Sequence, residues 1–397
     1  MTGVTVRESR EEDAEEIYRI RRIAFGGPRE PEAPGDANPY FPEGFEGWWG
    51  LVAEVDGRPA GFLRTRDYRQ FFGGRPVPMG GLASVCVDPY ARGRGVATAL
   101  LDRALAGMRE ARQCVSALFP SVPLLYRGRG WEQTGVYERM ILPVDLFAAL
   151  PRPTADRPLR PATPADLPAL HAAYLTFAST VDGMLDRSTT AHRLDELLKL
   201  DVVDLVPGAD GVRGYLTAER PDGERLIVHD LVAEDADTAR RLLRQLASWS
   251  GILADVSLRV IDSAVRDLLL SQPVQHDVHN HPWMLRVVDL PAAVAARGWP
   301  LAAFLRPFTV DVEVVDEHAP WQAGRHRIGF DGEAVFCAPG GTGAVRLHAR
   351  ALGPWFAGSA DTVMLRRAGL LDGDAKIAAQ LDALTGAPRL VRMADSF

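Results

Sequence analysis

Residues 82–105, LASVCVDPYARGRGVATALLDRAL, decide the fold. A β-rich run, Leu82–Val87, meets Asp88-Pro89, where proline removes a ladder donor and turns its neighbour away from helix. Arg92-Gly93-Arg94-Gly95-Val96-Ala97-Thr98 then opens an apolar-periodic helix. The first turn of that helix leaves backbone N–H groups unpaired, with partial positive charge at the N-terminus. Gly93 and Gly95 let a bulky anion come close to this backbone, and Arg92 and Arg94 add charge. The combination is a pyrophosphate cradle. It is not a Walker loop, because the Lys-Ser/Thr ending is absent.

A second element follows. Cys114–Phe119 reads as another strand, and Ser121-Val122-Pro123-Leu124-Leu125-Tyr126-Arg127-Gly128-Arg129-Gly130-Trp131 comes after it. The spacing Arg92-x-x-Gly95-x-Ala97 after a V-x-V-x-P strand resembles the acetyl-coenzyme A loop of the GNAT acetyltransferase superfamily. The second stretch resembles that superfamily's Y-x-x-x-G-[FW] segment, which implies that Tyr126 lies near the cofactor sulfur. The competing reading of Tyr126 is a core aromatic with a satisfied hydroxyl.

At 397 residues the chain exceeds one ordinary core, so two or three domains are expected. Hydrophobic content of 47% and charged content of 24% suit a soluble globular protein. A net charge of −7 argues against a general nucleic-acid binder and favours small cationic partners. Cys86, Cys114 and Cys337 are scattered and odd in number, which fits a reducing compartment. The polar N-terminus excludes an ordinary signal peptide, and no apolar run spans a bilayer. The expectation is a cytoplasmic protein with no membrane partner.

Three blocks emerge: 1–150, 151–285 and 286–397. The Pro-rich stretch PRPTADRPLRPATPADLP opens the second. An internal echo then follows. Val6-Arg7 leads through a polar turn to Asp13, and Leu159-Arg160 leads likewise to Asp166, each acid standing where it can cap a helix. Ile17 and Leu170 sit four residues beyond those aspartates. The chain therefore reads as two copies of one fold. In the second copy, strand Arg225–Ala233 meets Glu234-Asp235-Ala236-Asp237 before a helix Thr238–Trp249. Carboxylates there would repel a pyrophosphate, so only the first copy is expected to bind cofactor. The third block reads as a small α+β unit, with strands at Thr309–Val315 and His326–Phe330 and helices at Leu352–Phe356 and Asp374–Leu384.

An active GNAT domain, a degenerate copy, a W-x-L-R-x-x-x-[LV]-P-A-A junction at Trp283–Ala293 and an aromatic C-terminus resemble the enhanced intracellular survival (Eis) acetyltransferases along essentially the whole chain. The resemblance implies an α+β fold with tandem GNAT domains and a C-terminal sterol-carrier-like domain that completes the active site. It implies a homohexamer, acetyl-coenzyme A as cosubstrate, and acetylation of aminoglycosides or related cationic amines, possible at several positions. It assigns Tyr126 as general acid and the terminal carboxylate of Phe397 as general base. It places Val85, Cys86, Val87, the cradle Arg92–Thr98 and Ser121 at the cofactor. Phe25, Ser84, Trp48 and Ser396 are the candidate acceptor-side residues.

Two positions depart from the family pattern. The acid expected two residues after Phe25 is Gly27, and the penultimate residue is Ser396. Asp395 is the alternative acid, although alternation in an extended tail turns it to another side. The loop 28–47 carries Glu30, Glu32, Asp36, Glu43 and Glu46 against Arg29, and Tyr40, Phe41, Phe45, Trp48 and Trp49 offer apolar walls for a cationic amine. A solvated surface loop is the alternative. His276, His279 and His281 invite a metal reading, but without a cysteine partner a histidine-rich turn is favoured, and no metal is expected. Protein lysines or polyamines as acceptors, a regulatory acetyl-coenzyme A binder, and a lipid carrier built on residues 290–390 are the competing functions.

Overall fold

The computed structural model describes residues 3–27, 47–155, 157–189, 192, 194–270 and 277–397. The first copy runs β1 (Val4–Glu8), α1 (Ala14–Phe25), β2 (Trp48–Val55), β3 (Arg58–Phe72), β4 (Arg75–Val87), α2 (Val96–Glu110), β5 (Val115–Leu118), α3 (Pro123–Arg127) and β6 (Glu132–Pro143). After a short α4 (Asp145–Ala149), the second repeats the order. It comprises β7 (Arg160–Pro161), α5 (Leu167–Ala178), β8 (Val202–Pro207), β9 (Val212–Glu219), β10 (Leu226–Ala233), α6 (Ala236–Gln245), β11 (Asp255–Val260) and β12 (Asp277–Val287). The tandem arrangement read from the sequence is present.

The repeat is visible atom by atom. Arg7 donates to both oxygens of Asp13 at 2.7 Å, and Asp13 also accepts from the Arg10 amide at 2.7 Å. Arg160 reaches Asp166 at 2.8 and 2.7 Å, and Asp166 accepts from the Thr163 amide at 2.8 Å. In both copies a strand arginine and the following turn are thus tied to one carboxylate at the helix entry, which satisfies donors the helix cannot. Ile17 and Leu170, the paired positions beyond, are both buried.

One sheet serves both copies. Its order is β1-β2-β3-β4-β5-β12-β6-β11-β10-β9-β8-β7, with Val391–Arg392 added alongside β6 as a thirteenth strand. β12 enters the first copy between β5 and β6, pairing Met284–Val287 with Leu118–Val115. The far half of β6 enters the second copy, pairing Glu138–Pro143 with Val260–Asp255 of β11. The copies therefore exchange strands, and the expected 285/286 boundary lies inside continuous β12.

Helices cover the two faces. Leu100, Leu101, Ala104, Leu105 and Met108 recur along one side of α2 and are buried against β2–β4, each large side chain stabilising by about 1.5–3 kcal/mol. On the other face Ile17 and Ile20 of α1 cover Val52, Phe62 and Cys86. The C-terminal unit has a five-stranded sheet, ordered Val335–Pro339, Gly324–Phe330, Phe308–Val315, Val345–His348, Leu371–Gly373. The two strands read from sequence are there, and the helices are Ala349–Ala357 and a helical run over 375–385. Leu352, Trp355, Phe356, Val312 and Leu347 fill its interior, and that core continues into Trp283, Leu285 and Phe72. Among the described residues no helix is long and apolar enough to cross a membrane.

Burial works against the charge on Asp13, but the bonds from Arg7 and the Arg10 amide outweigh it and hold its carboxyl below the ordinary value. Its contribution is full at neutral pH and is lost as pH falls through that depressed value. Asp13→Asn is expected to cost about 2 kcal/mol at pH 7, with a smaller loss for Asp166→Asn at its more exposed site. In thermal melts the gap between wild type and Asp13→Asn is expected to narrow as pH falls below the ordinary carboxylate range; a gap constant with pH would contradict this account.

Candidate active site

The parallel pairing of β4 with β5 covers Met79–Gly81, yet β4 runs on to Val87. Ser84 explains the parting. Its backbone is left-handed (φ 55°), and the β3–β4 register slips there, between the pairs Phe62–Cys86 and Arg64–Ala83. Such a bulge adds local twist, at a cost of order 1 kcal/mol for a non-glycine residue in this conformation. Beyond Gly81, β4 pairs with β3 alone among the described strands. One edge of Val85–Val87 therefore faces a slot with its peptide groups available. Cys86 contributes backbone only: its side chain is buried against α1, and burial pushes its thiol up to about 12.

At the slot's mouth Asp88 caps the turn, accepting from the Tyr90 amide at 2.8 Å, and pairs with Arg19 of α1. Gly93 (φ 75°) and Gly95 (φ 83°) then reverse the chain into α2, and a β-carbon placed on Gly93 would meet open space. The amides that open α2 have no intrahelical acceptors. Thr98 turns its hydroxyl back to the Gly95 carbonyl (2.7 Å), Arg92 is exposed, and Arg94 reaches Asp56 at 3.1 Å. Open amides, two arginines and glycine clearance fit a pyrophosphate. The second copy has filled the equivalent place itself. Asp235 caps α6 and binds Arg157 at 2.9 Å, while Asp237 accepts from the Thr154 and Ala155 amides of the linker.

Tyr126 lies on α3, buried among Leu82, Val96, Leu100 and Trp131. Its turn is tied on every side. The Trp131 amide donates to the Tyr126 carbonyl (3.2 Å), the Trp131 indole to Ser116 (3.3 Å), Arg129 meets Asp102 (2.9 Å), and Glu132 joins Arg127 to Arg350 of the C-terminal unit. Burial, with a smaller effect from Cys86, pushes the Tyr126 hydroxyl up to about 12. Ser121 is exposed in the loop leading into α3.

The chain terminus comes to this same region. Val391–Arg392 runs parallel to β6, and the Phe397 ring rests against Tyr68 (5.0 Å between centroids) and Phe119 (5.7 Å). Gly81 leaves the space: a β-carbon there would lie 3.1 Å from the Phe397 ring and 2.5 Å from that of Tyr68. Gly80, one residue earlier, faces α2, so Phe397 sits on the opposite face, level with the point where β4 and β5 part. Ser396 is exposed.

On the acceptor side the outcome is mixed. Phe25 ends α1 half-exposed, and Gly27 leaves no acid beside it. Trp48 packs with Ile17, Val52 and Phe62, while Trp49 lies across Gly107 on the α2 face, so it is a core residue rather than a pocket wall. The acids Glu30, Glu32, Asp36, Glu43 and Glu46, and Tyr40, Phe41 and Phe45, lie outside the described residues, as does His276. Among the described residues no group of three potential ligands could hold a metal. Asp395 pairs with Arg187 at 3.0 Å through one carboxylate oxygen. Tyr68, Phe119 and Arg187, which touch the tail, escaped the sequence reading because they come from separate parts of the chain. The Gly80-Gly81 pair was the one local sign of a close approach.

Residues 5–134 match the family model of the acetyltransferase (GNAT) domain, and residues 290–391 that of the sterol carrier protein domain. An uncharacterized N-acetyltransferase of Streptomyces coelicolor is 30% identical over 352 residues, which is 80% of this chain and 81% of that one. The crystal structure of a GCN5-related N-acetyltransferase from Kribbella flavida superposes with a TM-score of 0.84 at 26% identity, covering 100% of this chain and 98% of that one. Eis1 from Mycobacterium abscessus shares the fold over the full length of both chains, with a TM-score of 0.76 at 24% identity.

The intact cradle and its filled counterpart lead to a binding stoichiometry. Calorimetry is expected to give one coenzyme A per chain. Ala97→Glu, which α2 tolerates because an acid in the first turn suits its dipole, sets a carboxylate against the pyrophosphate and should weaken binding about 10- to 100-fold without lowering the melting temperature. Two coenzyme A molecules per chain would overturn the assignment of a single cradle.

Proposed function

Because the chain belongs to the GNAT N-acetyltransferases and has an Eis-like architecture, we propose that it acetylates primary amines of cationic small molecules, with Tyr126 at the leaving sulfur and the Phe397 carboxylate at the amine. The observation that carries this reading is the seating of the chain terminus against Gly81 and Phe119, where β4 and β5 part.

Acetyl-coenzyme A, when bound, supplies the activated acyl group and a thiolate leaving group. The free edge of Val85–Val87 holds the pantetheine arm and the thioester carbonyl by backbone hydrogen bonds. Tyr126 faces a proton mismatch. With its hydroxyl at about 12 and a thiol near 8.5, complete proton transfer is uphill by about 5 kcal/mol. Tyr126 therefore acts by a hydrogen bond that strengthens as charge grows on the sulfur. A free α-carboxylate, near 3.5, is likewise a weak base toward an ammonium near 10. The Phe397 carboxylate orients the amine and relays its proton to water, so placement matters more than basicity.

Aminoglycosides are the specific members of this class to test. Gly27 and neutral Ser396 remove two of the acids that the family pattern offers to a cationic acceptor. The homohexamer belongs to the same proposal, and light scattering after size exclusion measures it.

The test is thiol release from acetyl-coenzyme A with aminoglycosides, polyamines, lysine and short peptides. Turnover is expected with the cationic small molecules, with several thiols released per aminoglycoside. A two-residue C-terminal extension, which moves the carboxylate away, is expected to lower kcat about 100-fold or more, and undiminished turnover would remove Phe397 from the chemistry. Tyr126→Phe is expected to lower kcat by about 10²–10⁴ at every pH. Since Tyr126 keeps its proton to about 12, the wild-type rate should rise with amine deprotonation and show no alkaline fall up to about pH 10. A fall near pH 9 that Tyr126→Phe abolishes would contradict this role.

A further inference from the structure

We infer that Arg187 of the second copy is a positioning residue for the terminal carboxylate, and that the second copy's former cofactor slot has become a clamp for the chain's end. The inference rests on the proposed role of Phe397.

The slot's counterpart is identified by topology. In the second copy the parallel pairing of β10 with β11 ends at Val228–Leu258, and the β9–β10 register slips between Val228 and Asp230. The first copy shows the same sequence of events at Gly81 and Ser84. Where the first copy leaves an open strand edge, the second holds Asp230, 2% exposed and gripped by Arg187 at 2.5 and 3.0 Å. The same guanidinium bonds Asp395 through Nε at 3.1 Å and Nη2 at 3.0 Å. Its plane lies 4.0 Å over the Tyr174 ring, whose hydroxyl donates to the Leu185 carbonyl at 2.8 Å.

Arg187 is also fixed to the first copy. The segment before it runs along β3: the Phe71 amide donates to the Met184 carbonyl at 2.7 Å, and the Asp186 amide to the Arg69 carbonyl at 2.8 Å. One side chain thus joins the first copy's sheet edge, the second copy's slot and the tail. Asp395 stands two residues before the terminus, so the carboxylate hangs on a tether of at most about 7 Å. Beyond it the Phe397 ring is held by Tyr68 and Phe119, so the exposed Ser396 is bracketed by an anchor in each copy. Without the clamp the last backbone bond of the tail is that of Met393 to Val136 (3.1 Å), four residues short of the end. Misplacement by about 1 Å is enough to cost a large factor in rate. A planar fork that serves two carboxylates at once is a task for arginine, not lysine.

Arg187→Gln and Asp395→Asn separate positioning from folding. Asp395→Asn leaves the Arg187–Asp230 pair intact and decides the matter if Arg187→Gln fails to fold. Both variants are expected to lower kcat at least 10-fold, with the acetyl-coenzyme A KM within twofold of wild type. Both should release Phe397 to carboxypeptidase at least 10-fold faster. The double variant should be no worse than Arg187→Gln alone, and Arg187→Lys should regain part of the rate. Folded variants with wild-type kcat and wild-type release of Phe397 would overturn the inference. If the C-terminal extension leaves turnover intact, the carboxylate's catalytic role fails instead. The carboxypeptidase rate then judges the clamp by itself, faster release supporting a seated tail and unchanged release excluding it.

Discussion

The antiparallel pairing of β6 with β12 is the constraint on which the molecule depends. Each strand is paired by the other copy's strands, β12 by β5 and β6, and β6 by β11 and β12, so neither copy closes alone. That pairing fixes the angle between the copies, supplies Trp283 and Leu285 to the core shared with the C-terminal unit, and gives the tail strand an edge of β6 to follow. It also builds the floor under the Tyr126 turn. Arg286, wholly buried on β12, is held by Asp316 at 2.8 and 2.9 Å and lies 5.7 Å over the Trp131 ring. A charge placed there is costly to leave unpaired, so the ion pair locks three units in one arrangement.

Duplication gave two slots, and the two have diverged by chemistry that can be read at each. In the first copy a left-handed Ser84 and the unencumbered Gly93–Gly95 turn keep peptide groups open to an anion and to a thioester. In the second, Asp235 and Asp237 have turned the helix entry into a seat for the linker, and Asp230 has turned the slot into a seat for Arg187. The same fold can therefore hold a cofactor or hold its own chain, depending on whether its strand ends present open amides or carboxylates.

The C-terminal unit leads directly into the tail strand Val391–Arg392. Its aromatic core is continuous with the first copy, and from that fixed base residues 391–393 run along β6 before Phe397 reaches Gly81, where β4 and β5 part. Residues 391–397 are held by strand pairing, an ion pair and two ring contacts in succession.

The local signals were legible without coordinates because their physics is local. Proline at 89, glycines at 93 and 95 and the apolar periodicity of α2 set the strand, turn and helix of the cradle. The Arg7–Asp13 and Arg160–Asp166 spacings exposed the duplication, since a strand arginine and a capping aspartate six residues apart can meet in only a few geometries. Carboxylates at 235 and 237 marked the copy whose helix entry departs from the cradle, and in the structure both are engaged there. What the sequence could not reveal was every feature made by residues far apart in the chain. The exchange of β6 and β12 leaves no trace in strand composition. The left-handed Ser84 looks like any strand serine. Trp49 reads as a pocket wall until the sheet faces are assigned, and Asp395 reads as a free acid until Arg187, 208 residues away, is brought to it. Periodicity, capping and charge act over a few residues and so are written in the sequence. Strand partners, ring contacts and ion pairs across the two copies depend on which surfaces meet, and only the tertiary structure decides that.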